Sequence, residues 1–248
     1  MEKITQKDID WLLNLGNKDD KSPARKQKIS GSKTKKPLKT WLLGFTLSVA
    51  ALLIFIILPF ILLIRVSVYL NTVQGVHGWV SLAGGMTMTA GIFTIYLLVL
   101  FRKLNNRKRV LKIGYLSTLF VVTGFCLFSL FYLSGVHAKN DEVQTLYRSM
   151  HPILRVAVST TTLADSGLVL TDIGREASDY DRMGLPVNPR SLHYRQENGY
   201  YHAVDVRTLD RGFIRNGLLE LAFKSMGFQT LRHTGTADHL HVELPVRK

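Results

Sequence analysis

The stretch "TGTADHLHVELP", residues 234–245, sets two histidines, an aspartate and a glutamate within six residues. On a strand, His239, His241 and Glu243 share one face, because successive side chains alternate. Upstream, "SLHYRQENGYYHAVDVR" contributes His193 and Asp205. Two imidazoles and one carboxylate, with a fourth position open to water, are the donor set of a catalytic zinc site. Zinc in such a set brings the acidity of its water towards neutrality and polarises a carbonyl. A carboxylate must then take up the proton, and Asp238, three residues before His241, is the candidate. Each residue also has a plainer reading: His193 as a partly buried strand histidine, Asp205 as a charge at a sheet edge, the whole stretch as polar strand surface.

The elements that must position these residues read as follows. Residues 141–164 repeat apolar side chains at three- and four-residue spacings (Val143, Leu146, Met150, Ile153, Leu154, Val158), which predicts one helix. "LVLTDI" is a short strand, and "GREASDYDRMGLPVNP" reads as loop. "SLHYRQENGYYHAVDVR" predicts two strands around an Asn-Gly turn. "RGFIRNGLLELAFKSMG" is an amphipathic helix with Phe213, Ile214, Leu218, Leu221, Ala222 and Phe223 as its buried face and Gly227 as its C-cap. "FQTLRH" and "HLHVELP" close a small α+β domain. There is no repeat and no Gly-rich phosphate loop.

Taken together, "SLHY", "AVD", a helix ending in "GF" and a terminal His-x-His strand resemble the D-alanyl-D-alanine carboxypeptidase and dipeptidase family. That family shares its zinc fold with phage L-alanyl-D-glutamate peptidases and the Hedgehog signalling domain. The resemblance covers roughly residues 140–245. It implies a Hedgehog/DD-peptidase-like domain with zinc held by His193, Asp205 and His241, and Asp238 in the peptidases' general-base position, where the Hedgehog domain lacks an acid. "LTDIGR" resembles the family's strand ending in arginine, which gives Arg175 the support of a developing oxyanion, although "DIGR" departs from the usual Ser-Gly-Tyr-Arg. Salt bridges to Glu176, Asp179 or Asp181 are the competing reading of Arg175. Ser191 matches the motif serine and would hydrogen-bond substrate.

One departure stands out. The family usually places the aspartate seven residues after the first histidine, whereas twelve separate His193 from Asp205. A hairpin with His193 opposite Asp205 and an odd loop centred on Gly199 absorbs the difference and leaves both ligands on one side. His202, in this inserted region, reads as a surface residue and as the chief rival ligand. His239 either hydrogen-bonds the reacting carbonyl or shields the metal, and Glu243 fixes a ligand from behind. His77, His137, His151 and His233 have no assigned part.

The rest of the chain is of another kind. The runs 41–64, 79–101 and 113–136 are uncharged, and each exceeds the roughly 20 residues that cross a bilayer core. The first is too long and too far along for an ordinary signal peptide. The formal net charge is +14, but residues 138–248 hold fourteen bases against thirteen acids. The excess sits in residues 1–40 and 101–112, both flanking apolar runs. This speaks against a nucleic-acid stripe and, by the positive-inside rule, predicts a cytoplasmic N-terminus and an exported C-terminal half. No run carries an acid or a histidine, which speaks against ion or proton transport, and the spans read as an anchor. Pro59 is a possible kink, and the small residues from Gly84 to Gly91 suit close helix packing. Residues 1–40 read as a disordered basic tail that touches anionic lipid, in which "DIDWLLNLG" forms a short amphipathic helix.

The expected organisation is a tail (1–40), a three-helix anchor (41–136) and an extracytoplasmic zinc peptidase-like domain (137–248). The expected protein is a multi-pass zinc metallopeptidase of the bacterial cytoplasmic membrane. By the resemblance, its substrates are peptidoglycan peptides. Two alternatives stand beside it: a non-catalytic zinc-containing module that binds wall or partner, and a membrane-perturbing lysis protein with a wall-cutting domain.

Overall fold

The computed structural model describes residues 6–15, 38–101, 106–182, 184, 186–235 and 238–246. The readings made for the basic tail at 16–37 and for the basic residues at 102 and 103 lie outside the described residues. The chain divides into a unit Met1–Leu47 and a unit Ser48–Lys248. In the first, "DIDWLLNL" falls in a short helix, α1 (Gln6–Leu15).

Three helices are long and apolar enough to cross a membrane: α2 (Leu38–Thr72), α3 (Gly78–Leu100) and α4 (Arg107–Phe131). α2 continues through Pro59 and beyond the predicted end at Ile64, because the first strong breaker, Gly75 (φ 69°), comes later. α4 stops at Phe131 instead of Val136. Tyr132 turns to extended backbone, and Gln144 holds the Leu133 carbonyl at 3.0 Å. Part of the small-residue stretch of α3 packs closely. A Cβ at Gly85 would fall well inside contact distance of the Leu63 carbonyl and the Ser67 hydroxyl, whereas Gly91 faces open space.

Beyond the spans, the single helix expected over 141–164 is two. α5 (Asp141–Leu146) ends in a 3-10 turn (Tyr147–Ser149), and α6 (Pro152–Ala164) begins at the proline. Proline has no N–H to give a helix interior, but suits the first position of a new one. α6 is buried on nearly its whole circumference. Arg155 Nη1 donates to the Leu130 carbonyl (2.7 Å), the Tyr147 hydroxyl donates to Ser129 O (2.5 Å), and the Arg155 guanidinium lies 5.8 Å over the Trp79 ring. One apolar core therefore runs from Leu63, Ile64 and Val122 in the spans to Leu240 and Val242 in the sheet.

The sheet has four antiparallel strands: β1 (Leu170–Asp172), β2 (Ala203–Arg207), β3 (Gln229–His233) and β4 (His239–Glu243), in the order β1-β2-β4-β3. Alternation sends Val204, Val206, Leu240 and Val242 to the core face. Two further elements lie outside the sheet. α7 (Ala177–Arg182) forms where loop was expected, started by Asp179, whose carboxylate accepts from the Glu176 N–H (2.7 Å). α8 (Phe213–Met226) ends at Gly227 in the left-handed conformation, as expected.

The buried face of α8 is only partly the expected one: Phe223 and Ala222 meet the core as read, and the rest differ. Asn216, Leu219, Phe223 and Met226 turn inward, and Phe213, Ile214, Leu218 and Leu221 turn out. Polar contacts at its start set this rotation. Asn216 Nδ2 donates to Thr208 O (3.0 Å), and Arg211 and Arg215 both bind Asp165 at the end of α6.

A substitution pair checks the bundle. Gly85→Ala pushes a Cβ against the Leu63 carbonyl and the Ser67 hydroxyl and should cost about 1–3 kcal/mol, while Gly91→Ala should be neutral. Thermal unfolding in detergent measures both, and equal midpoints would mean that α2 and α3 do not meet at Gly85.

Candidate metal centre

Cross-strand register creates the first half of the site. Asp205 of β2 lies directly opposite His241 of β4, and Arg207 and Ala203 face His239 and Glu243. These side chains share the sheet face opposite the apolar one.

His193 reaches them from an irregular turn, not from the predicted strand. Its backbone is held at two points: its carbonyl accepts from the Arg175 N–H (3.0 Å), and its N–H donates to Ser191 Oγ (3.3 Å). Its Nδ1 lies 2.8 Å from the Ile173 carbonyl. A carbonyl only accepts, so Nδ1 carries the proton and Nε2 presents a lone pair. The inserted residues fold into the expected turn at Gly199 (φ 82°), where Gly199 N–H donates to Gln196 O (2.8 Å). No strand leads into that turn; regular pairing starts only at Ala203. Even so, the Asp205 carboxylate faces both histidines.

The three donor atoms form a tight triangle. His193 Nε2 is 3.1 Å from His241 Nδ1 and 3.3 Å from Asp205 Oδ1, and His241 Nδ1 is 2.9 Å from that same oxygen. Bonds of about 2.0–2.1 Å to a tetrahedral zinc place neighbouring donors about 3.3 Å apart. The spacing, the donor types and the fixed tautomer of His193 thus fit a metal ion bound by three protein groups. His241 is oriented from behind, its Nε2 lying 3.2 Å from Glu243 Oε2. Glu243 takes the supporting place expected of it.

Charge follows from this geometry. Burial pushes the Asp205 carboxyl up, but the neighbouring His193 and His241 rings and the Arg175 charge outweigh it and hold the group far below the usual carboxylate range. Burial likewise favours the neutral ring of His241, and the Asp205 and Glu243 carboxylates overcome that and raise it to about 9.

The other expected residues fall into place unevenly. Arg175 binds Asp172 and the outer oxygen of Asp205, not Glu176, Asp179 or Asp181, and lies 6.0 Å from the Tyr180 ring. Its guanidinium thus fixes the Asp205 carboxylate. His239 lines the cavity with Nε2 3.7 Å from Asp205 Oδ2, and Ser191 lines it too while buttressing His193. Asp238 is not brought to the group. Its carboxylate accepts from the Gly235 N–H, its carbonyl accepts from the Thr208 N–H (3.2 Å), and it does not line the cavity. His202 is a correction. It is buried, not on the surface, and packs on His151 (ring centroids 4.8 Å) with Asn198 on its Nε2, away from the metal group. Leu192 O and Leu244 N–H clamp its backbone (3.0 and 2.8 Å) and draw the segment inside.

The donors open into a cavity of about 430 Å³ with further lining residues that were not anticipated: Gln229, Leu231 and His233 of β3, with Tyr180, Asn188 and Arg190. His233 stacks on His239, centroids 4.6 Å apart. The signal for the β3 residues was present. Once 229–233 pairs with 239–243, alternation puts 229, 231 and 233 on the face of His239, His241 and Glu243. No protein-family model, curated protein or solved structure matches the chain.

The raised pKa of His241 gives a signature. Without metal it contributes stability below the ordinary imidazole value of 6.5, and that is lost as pH rises through about 9. Because the ring is protonated at neutral pH, zinc loading there should expel about one proton per ion, and the release should fade as pH passes 9. Titration calorimetry in buffers of different ionisation enthalpy measures it. A release that stays constant across that range would place the proton elsewhere.

Proposed function

We propose that the chain is a membrane-anchored zinc peptidase, with its metal domain outside the cytoplasmic membrane and peptides of the bacterial cell wall as substrates. The observation that supports it most is the convergence of His193 Nε2, His241 Nδ1 and Asp205 Oδ1 at the floor of an open cavity. The Hedgehog/DD-peptidase-like fold and the substrate class follow from the resemblance of "SLHY…AVD…HLH". The orientation follows from the basic segments that flank the spans.

In this reading His193, Asp205 and His241 hold zinc, which supplies an acidic water and polarisation of the scissile carbonyl. The chain's own groups do the rest. Glu243 keeps the His241 ring turned so that Nδ1 faces inward, and Arg175 pins the outer oxygen of Asp205. His239 and Ser191 line the path of the substrate and can hydrogen-bond its carbonyl or amide. Asp238 takes a proton from water as the carbonyl is attacked and returns it to the leaving amine as the C–N bond breaks. That role asks its carboxylate to leave Gly235 when substrate enters; hydrogen bonds of catalytic groups commonly rearrange in this way on substrate binding.

The position of Asp238 also favours a second reading, a zinc-bearing module that binds a wall peptide without cutting it. Carboxylate substitutions separate the two. Asp238→Asn should keep one zinc per chain and lower turnover of wall fragments by about 100-fold or more. Glu243→Gln should weaken zinc binding by about 10–100-fold and spare turnover at saturating metal. Metal analysis and mass spectrometry of the products read both. If Glu243→Gln is the variant that loses turnover, the proton passes through Glu243. Zinc bound with no cleavage by the unaltered chain would leave the binding module.

A further inference from the structure

α8 carries its large apolar residues on the side that a soluble domain would leave to polar ones. Phe213, Ile214, Leu218 and Leu221 are 82, 75, 61 and 62% exposed. With Gly217 they occupy positions i, i+1, i+4, i+5 and i+8, which form one stripe of a helix. Isolated exposed leucines need no explanation, but four adjacent large side chains mark a contact surface. The opposite side of α8 is already packed through Leu219, Phe223 and Met226, so the stripe cannot be satisfied by its own domain.

Where α8 ends tells what covers it. Its cap Gly227 lies against α2: a Cβ there would meet Arg65 Nη1 at 2.8 Å and Val68 Cγ1 at 3.1 Å. Arg65 is the first charge after the uncharged run 41–64. A basic residue at the end of such a run sits where hydrocarbon gives way to headgroups. The C-terminal end of α8 is therefore at the level of the membrane surface. Beside these residues Arg215 and Lys224 leave about half of each side chain exposed, each in an ion pair, with Asp165 and Glu220. An outward apolar face at that level is the pattern of a helix lying in a bilayer interface.

We propose that the outward stripe of α8 rests in the leaflet at the Arg65 end of the spans, with Phe213, Ile214, Leu218 and Leu221 among the upper acyl chains. The exported half then touches lipid as well as being tied to the spans, and the lipid contact is made by the helix that leads directly into β3, which lines the cavity.

The test uses the full chain in vesicles of phosphatidylcholine and phosphatidylglycerol. Leu218→Cys and, separately, Phe213→Cys carry a polarity-sensitive fluorophore, and Glu197→Cys, an exposed position of the Asn198-Gly199 turn, is the aqueous control. The unaltered chain, whose lone Cys126 is buried, serves as the labelling blank. The Leu218 and Phe213 probes should emit further to the blue than the Glu197 probe. Lipids bearing a spin label high on the acyl chain should quench them several-fold more strongly. Quenching equal to that of Glu197 overturns the proposal. So does blue-shifted emission without lipid quenching, which would mean that a second protein surface covers the stripe.

Discussion

The structure around the cavity depends on one buried carboxylate. Asp205 is almost completely removed from water at the centre of β2, and burying an unpaired charge costs several kcal/mol. Its neighbours are arranged to meet that cost. Arg175 binds the outer oxygen, and His193 and His241 approach the inner one. Each partner arrives from a different element, so the demand of one side chain fixes the end of β1, the turn at 191–194 and the register of β4. Removing a partner from such a group typically costs about 3–5 kcal/mol. The same tight triangle of donors that neutralises the charge is what a metal ion requires. In this site structural and chemical demands coincide.

Much of this was legible in the sequence because it rests on period and on residue type. Three uncharged runs gave the spans, the Gly227 cap gave the end of α8, and alternation put His239, His241 and Glu243 on one face. What was not legible depends on partners far away in the chain. The amphipathic pattern of α8 offered two apolar sides, and only Asn216 with the Asp165 ion pairs decides between them. The helix at 141–164 looked continuous because the period persists across Pro152, although the ring forces a new start. The donor group itself was legible as residues but not as geometry. Nothing in "RQENG" reveals that a compact turn, not a pair of strands, brings His193 to Asp205.

Asp238 shows the limit of reading a role from spacing. Three residues before His241 is a statement about the chain, and it fixes direction only where the backbone between is regular. β4 begins at His239, so Asp238 lies just outside the ladder, and its carboxylate is taken up by Gly235. Glu243, inside the ladder, has its direction set by the sheet. A strand residue is therefore aimed by the ladder, while Asp238 is aimed by local contacts with Gly235 and Thr208 that its spacing from His241 does not reveal.

The junction between spans and sheet bears on the reach of the cavity. A catalytic domain on a flexible linker samples a volume set by linker length. Here the chain leaving α4 is tied down at once. Arg148 Nε donates to Phe131 O (3.2 Å), Gln144 to Leu133 O (3.0 Å), and the Lys139 N–H to Leu170 O (2.9 Å) beside β1. α6 then fills the space between spans and sheet with side chains buried on all sides. Moving the sheet away from the spans would expose Ile153, Leu154 and Val156 and strip Arg155 and Tyr147 of their carbonyl partners at Leu130 and Ser129. Each fully exposed side chain of that size loses about 1.5–3 kcal/mol, so the sheet cannot swing out without partial unfolding. The cavity is held at a fixed height above the spans, and whatever it binds must come to that height.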